Sequence, residues 1–77
     1  MKLTPQMIRI VRINLGYTQG KLGIKACISV ALLGHIERGE RRLTSEVEAK
    51  IRRVIPLSDD EIIAIYEAHI KLRKGVM

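Results

Sequence analysis

The side chains in this 77-residue chain that could act on another molecule are few: two histidines, one cysteine, and scattered hydroxyl, amide and cationic groups. His35 and His69 are far apart, and neither has a Cys, Asp or Glu at metal-ligand spacing, so no metal site is expected. His69 reads as a helix-face residue at a packing boundary. Cys27 has no base near it in sequence and reads as a small buried apolar residue, not a nucleophile. Being alone, it excludes an internal disulfide and suits a reducing compartment. Gly20 and Gly23 do not form a phosphate loop, because no strand precedes them. No enzyme chemistry and no cofactor is therefore expected. What remains is recognition, through hydrogen-bonding groups such as Gln19, Ser29 and His35 and through the cations around them.

Those cations are unevenly placed. The net charge is +6, yet residues 1–36 hold Lys2, Arg9, Arg12, Lys21 and Lys25 and no acid at all. Residues 1–55 balance to +7 and residues 56–77 to −1. Attraction to a polyanion therefore belongs to the first two-thirds, and the last third has another task. A basic surface with no partner is the alternative that charge alone leaves open. No apolar run approaches the roughly 18 residues of a membrane-spanning helix, and no leader pattern stands at the start, so a cytoplasmic protein without membrane contact is expected.

The elements that must position these groups are helical. Only Tyr17 and Tyr66 are aromatic, the apolar residues are mostly Ile, Leu and Val, and helix formers dominate, which favours one small all-α domain. Thr4-Pro5 opens a first helix with Met7, Ile8, Val11 and Leu15 on its apolar face, and Gly16 ends it. From Thr18 to Gly39 the spacing of Leu22, Ala26, Ile28, Leu33 and Ile36 fits two crossed helices sharing one core, about 19–25 and 29–37. Thr18 and Ser29 can cap them, Ala26-Cys27-Ile28 supplies the turn, and Gly39 can close the unit in the left-handed conformation. Gly23 permits a close helix crossing, whereas Gly34 falls on the outward face, where no packing calls for it. A fourth helix opens at Leu43-Thr44-Ser45, with a capping box between Ser45 and Glu48. Val47, Ile51, Val54 and Ile55 form its core face, Lys50, Arg52 and Arg53 face elsewhere, and Pro56 stops it. Ser58 and Glu61 form a second capping box before a fifth helix, about 58–73, whose end suits Lys71, Arg73 and Lys74. Its apolar residues span about 180°, more than the ~100° one core contact needs.

The stretch TQGKLGIKACISVALLGHIERG, residues 18–39, resembles the helix-turn-helix of the phage-repressor family, the Cro-like or lambda-repressor-like DNA-binding domains. Thr18, Gln19, Leu22, Ile28, Ser29, Leu33, Ile36, Glu37 and Gly39 match that family's pattern in register. Gly23 stands where the family prefers Ala, and Cys27 where it prefers the turn Gly. The resemblance covers about residues 5–55 and implies a lambda-repressor-like five-helix bundle, all-α, as a single domain over 1–77.

The resemblance also implies roles. The third helix would enter the major groove of double-stranded DNA with Ser29, Val30, Ala31 and His35 at base-reading positions and Leu32 near the rim. Val30 and Ala31 can only touch thymine methyls; Ser29 and His35 can hydrogen-bond. Gln19 would bind phosphate at a helix start, as would Arg38, Arg41 and Arg42 after the reading helix, with Lys21 and Lys25 as further contacts. Arg12 would pair with Glu37. The wide apolar arc suggests a homodimer through Ile62, Ile65, Tyr66, His69 and Ile70. The expected function is a transcriptional regulator of the phage or mobile-element type, such as a repressor. The alternative is a protein-interaction module that binds another regulatory protein through Val30, Ala31 and Leu32.

Overall fold

The computed structural model describes residues 1–75, with side chains through Arg73; the expectation for the Lys74 side chain lies outside the described residues. Five helices follow one another among them: α1 (Pro5–Asn14), α2 (Gln19–Ala26), α3 (Val30–Glu37), α4 (Ser45–Val54) and α5 (Asp59–Gly75), with no strand. Each of the first four starts on a hydroxyl that accepts a backbone N–H from inside the first turn: Thr4 from Met7, Thr18 from Lys21, Ser29 from Leu32 and Thr44 from Val47. Before α5, Ser58 and Glu61 exchange hydrogen bonds reciprocally, at 2.9 and 3.2 Å.

The fourth helix departs from the expected cap. It begins one residue earlier than a Ser45 capping box requires, with the Thr44 hydroxyl 3.2 Å from the Val47 N–H. Glu48 is thereby released, and its carboxylate accepts the N–H of Leu3 at 2.6 Å. That bond holds the N-terminal segment, so that Leu3 sinks into the core.

The core is aliphatic. Leu3, Ile8, Val11, Leu22, Ala26, Leu33, Ile51, Ile55 and Ile62 form one buried cluster, with Ile28, Val47, Val54 and Ile65 packed around it. Ile36 is also fully buried. Helix α1 lies against α5 and α3, while α2 lies against α3 and α4. Ile10, outside the apolar face expected for α1, is buried as well.

Two residues in the helix-turn-helix differ from expectation. Cys27 is exposed, not buried. It occupies the left-handed turn position, φ 59° and ψ 42°, and ends α2 while α3 begins in a new direction. A non-glycine residue at positive φ is uncommon and costs on the order of 1–2 kcal/mol, which explains why glycine is favoured at such a turn. Gly34 is buried, not outward-facing. A Cβ there would lie 3.1 Å from Arg38 Nη1 and 3.4 Å from Gln19 Oε1, so these two side chains lie across the helix at the point where Gly34 leaves room. Gly23 meets a harder neighbour, because a Cβ would come within 2.9 Å of the Ile28 carbonyl oxygen.

Candidate nucleic-acid interface

The candidate surface is built on α3. Its inner face buries Leu33 and Ile36, and this fixes the rotation of the helix. The same rotation leaves Ser29, Val30, Ala31 and His35 exposed and Leu32 half-buried. Val30 is 52% exposed, a large apolar side chain with no cover. The Ser29 hydroxyl already accepts from the Leu32 N–H at 3.0 Å, so its O–H and one further lone pair are left for a base. The His35 ring is engaged too: Nδ1 lies 2.7 Å from Glu40 Oε1.

Arg12 and Glu37 hold this helix in place. Arg12 Nε donates to Glu37 Oε2 at 2.8 Å and Nη2 to Oε1 at 3.0 Å. Arg12 Nη1 donates to the Tyr17 carbonyl at 2.8 Å, and Gln19 Nε2 donates to Glu37 Oε1 at 3.1 Å. One carboxylate therefore gathers α1, α2 and α3. The side chains are 11% and 2% exposed, so the pair is shielded from water and salt.

Gln19 stands at the start of α2, where a free helix N-terminus favours an anion. Its side-chain nitrogen donates to Glu37 Oε1, and its oxygen lies beside Gly34 of α3, 3.4 Å from where a Cβ would stand. Gln19, Glu37, Arg12, Arg38 and Arg9 line one shallow polar cleft. From sequence, Arg9 counts among the basic residues of the first two-thirds and carries no phosphate-contact role. Its signal was there: it lies three residues before Arg12, one turn away on the same face of α1.

The remaining cations differ in how free they are. Arg38 is ion-paired with Glu40 at 3.1 Å. Arg41 and Arg42 are exposed, with no side-chain partner among the described residues. Lys21 and Lys25 are exposed, and their ammonium groups sit 5.0 and 5.7 Å from the Tyr17 ring centroid, a geometry in which the ring attracts a cation. The Glu40 carboxyl is held below its usual range, first by the hydrogen bond from Arg38 and then by that from His35.

The residues expected to form a dimer contact are not one surface. Ile62 is 1% exposed and belongs to the monomer core, because α5 turns it onto α1; it cannot meet a second copy. Ile65 is partly buried against the same core. Tyr66 is half-buried, and its hydroxyl donates to Gln6 Oε1 at 3.3 Å. His69 is exposed and Ile70 half-buried. An open groove between α1 and α5 is lined by Ile10, Ile13, Ile65, Ala68, His69 and Leu72, so Ile65 and His69 of the expected set reach it, whereas Tyr66 and Ile70 line a separate hollow further round α5. Ile13 is 55% and Leu72 71% exposed. No helix among the described residues is long and apolar enough to cross a membrane.

A family model described as helix-turn-helix matches residues 8–62. No curated protein matches the chain. Among solved structures, the clp gene regulator ClgR from Corynebacterium glutamicum superposes with a TM-score of 0.68. It is 21% identical, over 92% of this chain and 76% of that one, and at this identity the likeness is one of fold.

Proposed function

The chain belongs to the helix-turn-helix family, and from that membership we propose that it is a sequence-specific DNA-binding transcriptional regulator with α3 in the major groove. The observation that carries this reading is the placement of α3. It is locked to α1 and α2 by the shielded Arg12–Glu37 pair and presents Ser29, Val30, Ala31 and His35 outward. Arg9, Arg38, Arg41 and Arg42, with Lys21 and Lys25, supply contacts to the DNA backbone. The apolar Val30 and Ala31 suit thymine methyls, so readout is T-rich and each half-site is weak. The likeness of residues 18–39 to the phage-repressor helix-turn-helix favours a regulator of the phage or mobile-element type.

A weak half-site favours a two-fold dimer, with reading helices about one DNA turn, ~34 Å, apart. The partner is a second copy seated on the groove of Ile13 and Leu72. Charge supports it: α5 starts with Asp59, Asp60 and Glu61 and carries Lys71 and Arg73 near its end, so antiparallel pairing sets opposite charges side by side.

The exposed Val30 keeps a second reading in play, in which α3 docks on another regulatory protein. A salt titration of binding to mixed-sequence duplex separates the two. DNA binding gives log affinity falling steeply with log salt, in proportion to the phosphates contacted. A flat response, or no binding, would leave the protein-docking reading.

A further inference from the structure

His35 sits one turn after Ala31 on the exposed face of α3. The backbone that follows decides what its ring can do. Gly39 takes φ +77°, its N–H donates to the Ile36 carbonyl at 3.0 Å, and the Glu40 N–H donates to the His35 carbonyl at 2.8 Å. This is the paired closure of a Schellman motif, and it folds residue 40 back beside residue 35. The Glu40 carboxylate consequently meets the ring, with Oε1 2.7 Å from Nδ1.

An ionised carboxylate can only accept, so Nδ1 carries the proton. Arg38 Nη2 lies 3.3 Å from the same nitrogen, but a guanidinium only donates, so this approach is not a hydrogen bond. Arg38 serves Glu40 instead, through Nε at 3.2 Å and Nη2 at 3.1 Å. Its hydrogen bond is the main cause that favours the ionised Glu40 carboxyl, which is hence an acceptor. In a neutral ring with Nδ1 protonated, Nε2 offers only a lone pair.

We propose that Glu40 is a positioning residue for base selection: it fixes the neutral His35 ring as the Nδ1–H tautomer, so that Nε2 accepts from an exocyclic amino group. His35 then selects adenine or cytosine over guanine or thymine at one position of the half-site. In the major groove adenine and cytosine present amino donors, whereas guanine and thymine present acceptors that a lone pair repels. The proposal rests on α3 reading DNA.

The test uses the full chain. Ring-nitrogen NMR at about pH 8.5, roughly two units above the ordinary histidine value, reports the tautomer of the free protein, with His35→Gln assigning the signal. Wild type shows a protonated Nδ1. Glu40→Gln, whose amide can accept or donate, shifts the ring toward Nε2–H. Selection from a random duplex pool at the same pH gives wild type a preference of about fivefold for an amino base at one position, the lower end for a base-edge contact. Glu40→Gln loses that preference and keeps the others, which a general gain in affinity from removing a carboxylate would not produce. An Nε2–H ring in a wild type that binds DNA overturns the role of Glu40 alone, as does an unchanged base preference in Glu40→Gln. A wild type that binds no duplex overturns base selection together with the DNA reading.

Discussion

Arg12 and Glu37 meet side by side, guanidinium to carboxylate, through two hydrogen bonds of 2.8 and 3.0 Å. The contact joins α1 to the last residue of α3 across 25 positions of sequence, and Gln19 adds a third donor from α2. The pair is nearly dry, so removing either partner leaves a shielded charge whose remaining hydrogen bonds, from Gln19 to Glu37 or from Arg12 to the Tyr17 carbonyl, are to neutral groups. Arg12→Ala and Glu37→Ala should each cost about 3–5 kcal/mol, with the double variant costing far less than the sum. Urea unfolding of the four proteins measures this directly, and a coupling of zero would mean that the bonds contribute nothing.

The two buried glycines should respond in opposite directions to alanine. Both substitutions gain about 0.5–1 kcal/mol of helix preference. At Gly34 the nearest obstacle is the end of the flexible Arg38 side chain, which can move away. Gly34→Ala should therefore raise the melting temperature and, by displacing Arg38 and crowding Gln19, weaken DNA binding. At Gly23 the obstacle is the Ile28 carbonyl, fixed in the turn, so overpacking of about 1–3 kcal/mol should outweigh the gain. Thermal unfolding of both variants checks the pair of signs.

Arg41 and Arg42 are the exposed cations that follow the reading helix. Changing both to Ala should weaken binding to every duplex alike and reduce the salt slope by about one or two contacts. Binding measured over a range of salt concentrations on two unrelated duplexes decides it, and an unchanged slope would remove both residues from the interface.

If the open groove seats a second copy, Leu72→Asp or Ile13→Asp should give a folded monomer, since a two-fold contact meets each change twice. Ile62→Asp should instead unfold the protein, because that side chain lies in the core. Sedimentation across a wide concentration range, with circular dichroism on each variant, separates the two outcomes. A wild type that stays monomeric rules the dimer out.

Asp59 is held below its usual carboxyl range, chiefly by the hydrogen bond from Arg52, whose Nη1 lies 2.5 Å away, while the chain's amino terminus is 3.7 Å off. A depressed folded value stabilises the fold above the unfolded value and loses that contribution as pH falls through the folded one. Asp59→Asn should therefore lower the melting temperature at neutral pH, with the gap to wild type starting to close only as pH falls below about 4, the ordinary aspartate value, and closing further through the lower folded value. Melting curves from pH 3 to 7 test it, and a constant gap across that range would show that the carboxylate charge is not the cause.

The helices and their order were legible in the residues alone. Capping hydroxyls at Thr4, Thr18 and Ser29, the Ser58–Glu61 box and the aliphatic spacing of Leu22, Ala26, Leu33 and Ile36 act over a few positions each. Such local chemistry leaves its mark in a local pattern. Two crossed helices followed from the same short spacings, and their register came with the resemblance to the phage-repressor helix-turn-helix.

What tertiary structure decided was where each side chain spends its bonds. Glu48 had the spacing for its own helix cap, but Leu3, brought in from the other end of the chain, takes its carboxylate. Gly34 had no visible purpose until Arg38 and Gln19 lay over it. Ile62 stood on an arc with residues that face away, because a period of 3.6 gives the width of an apolar stripe but not which edge meets the core. His35 could have bonded any base until Gly39 turned the chain and set Glu40 beside it. Hydrogen-bonding capacity is a property of the residue, whereas its use depends on distances between groups that folding alone brings together.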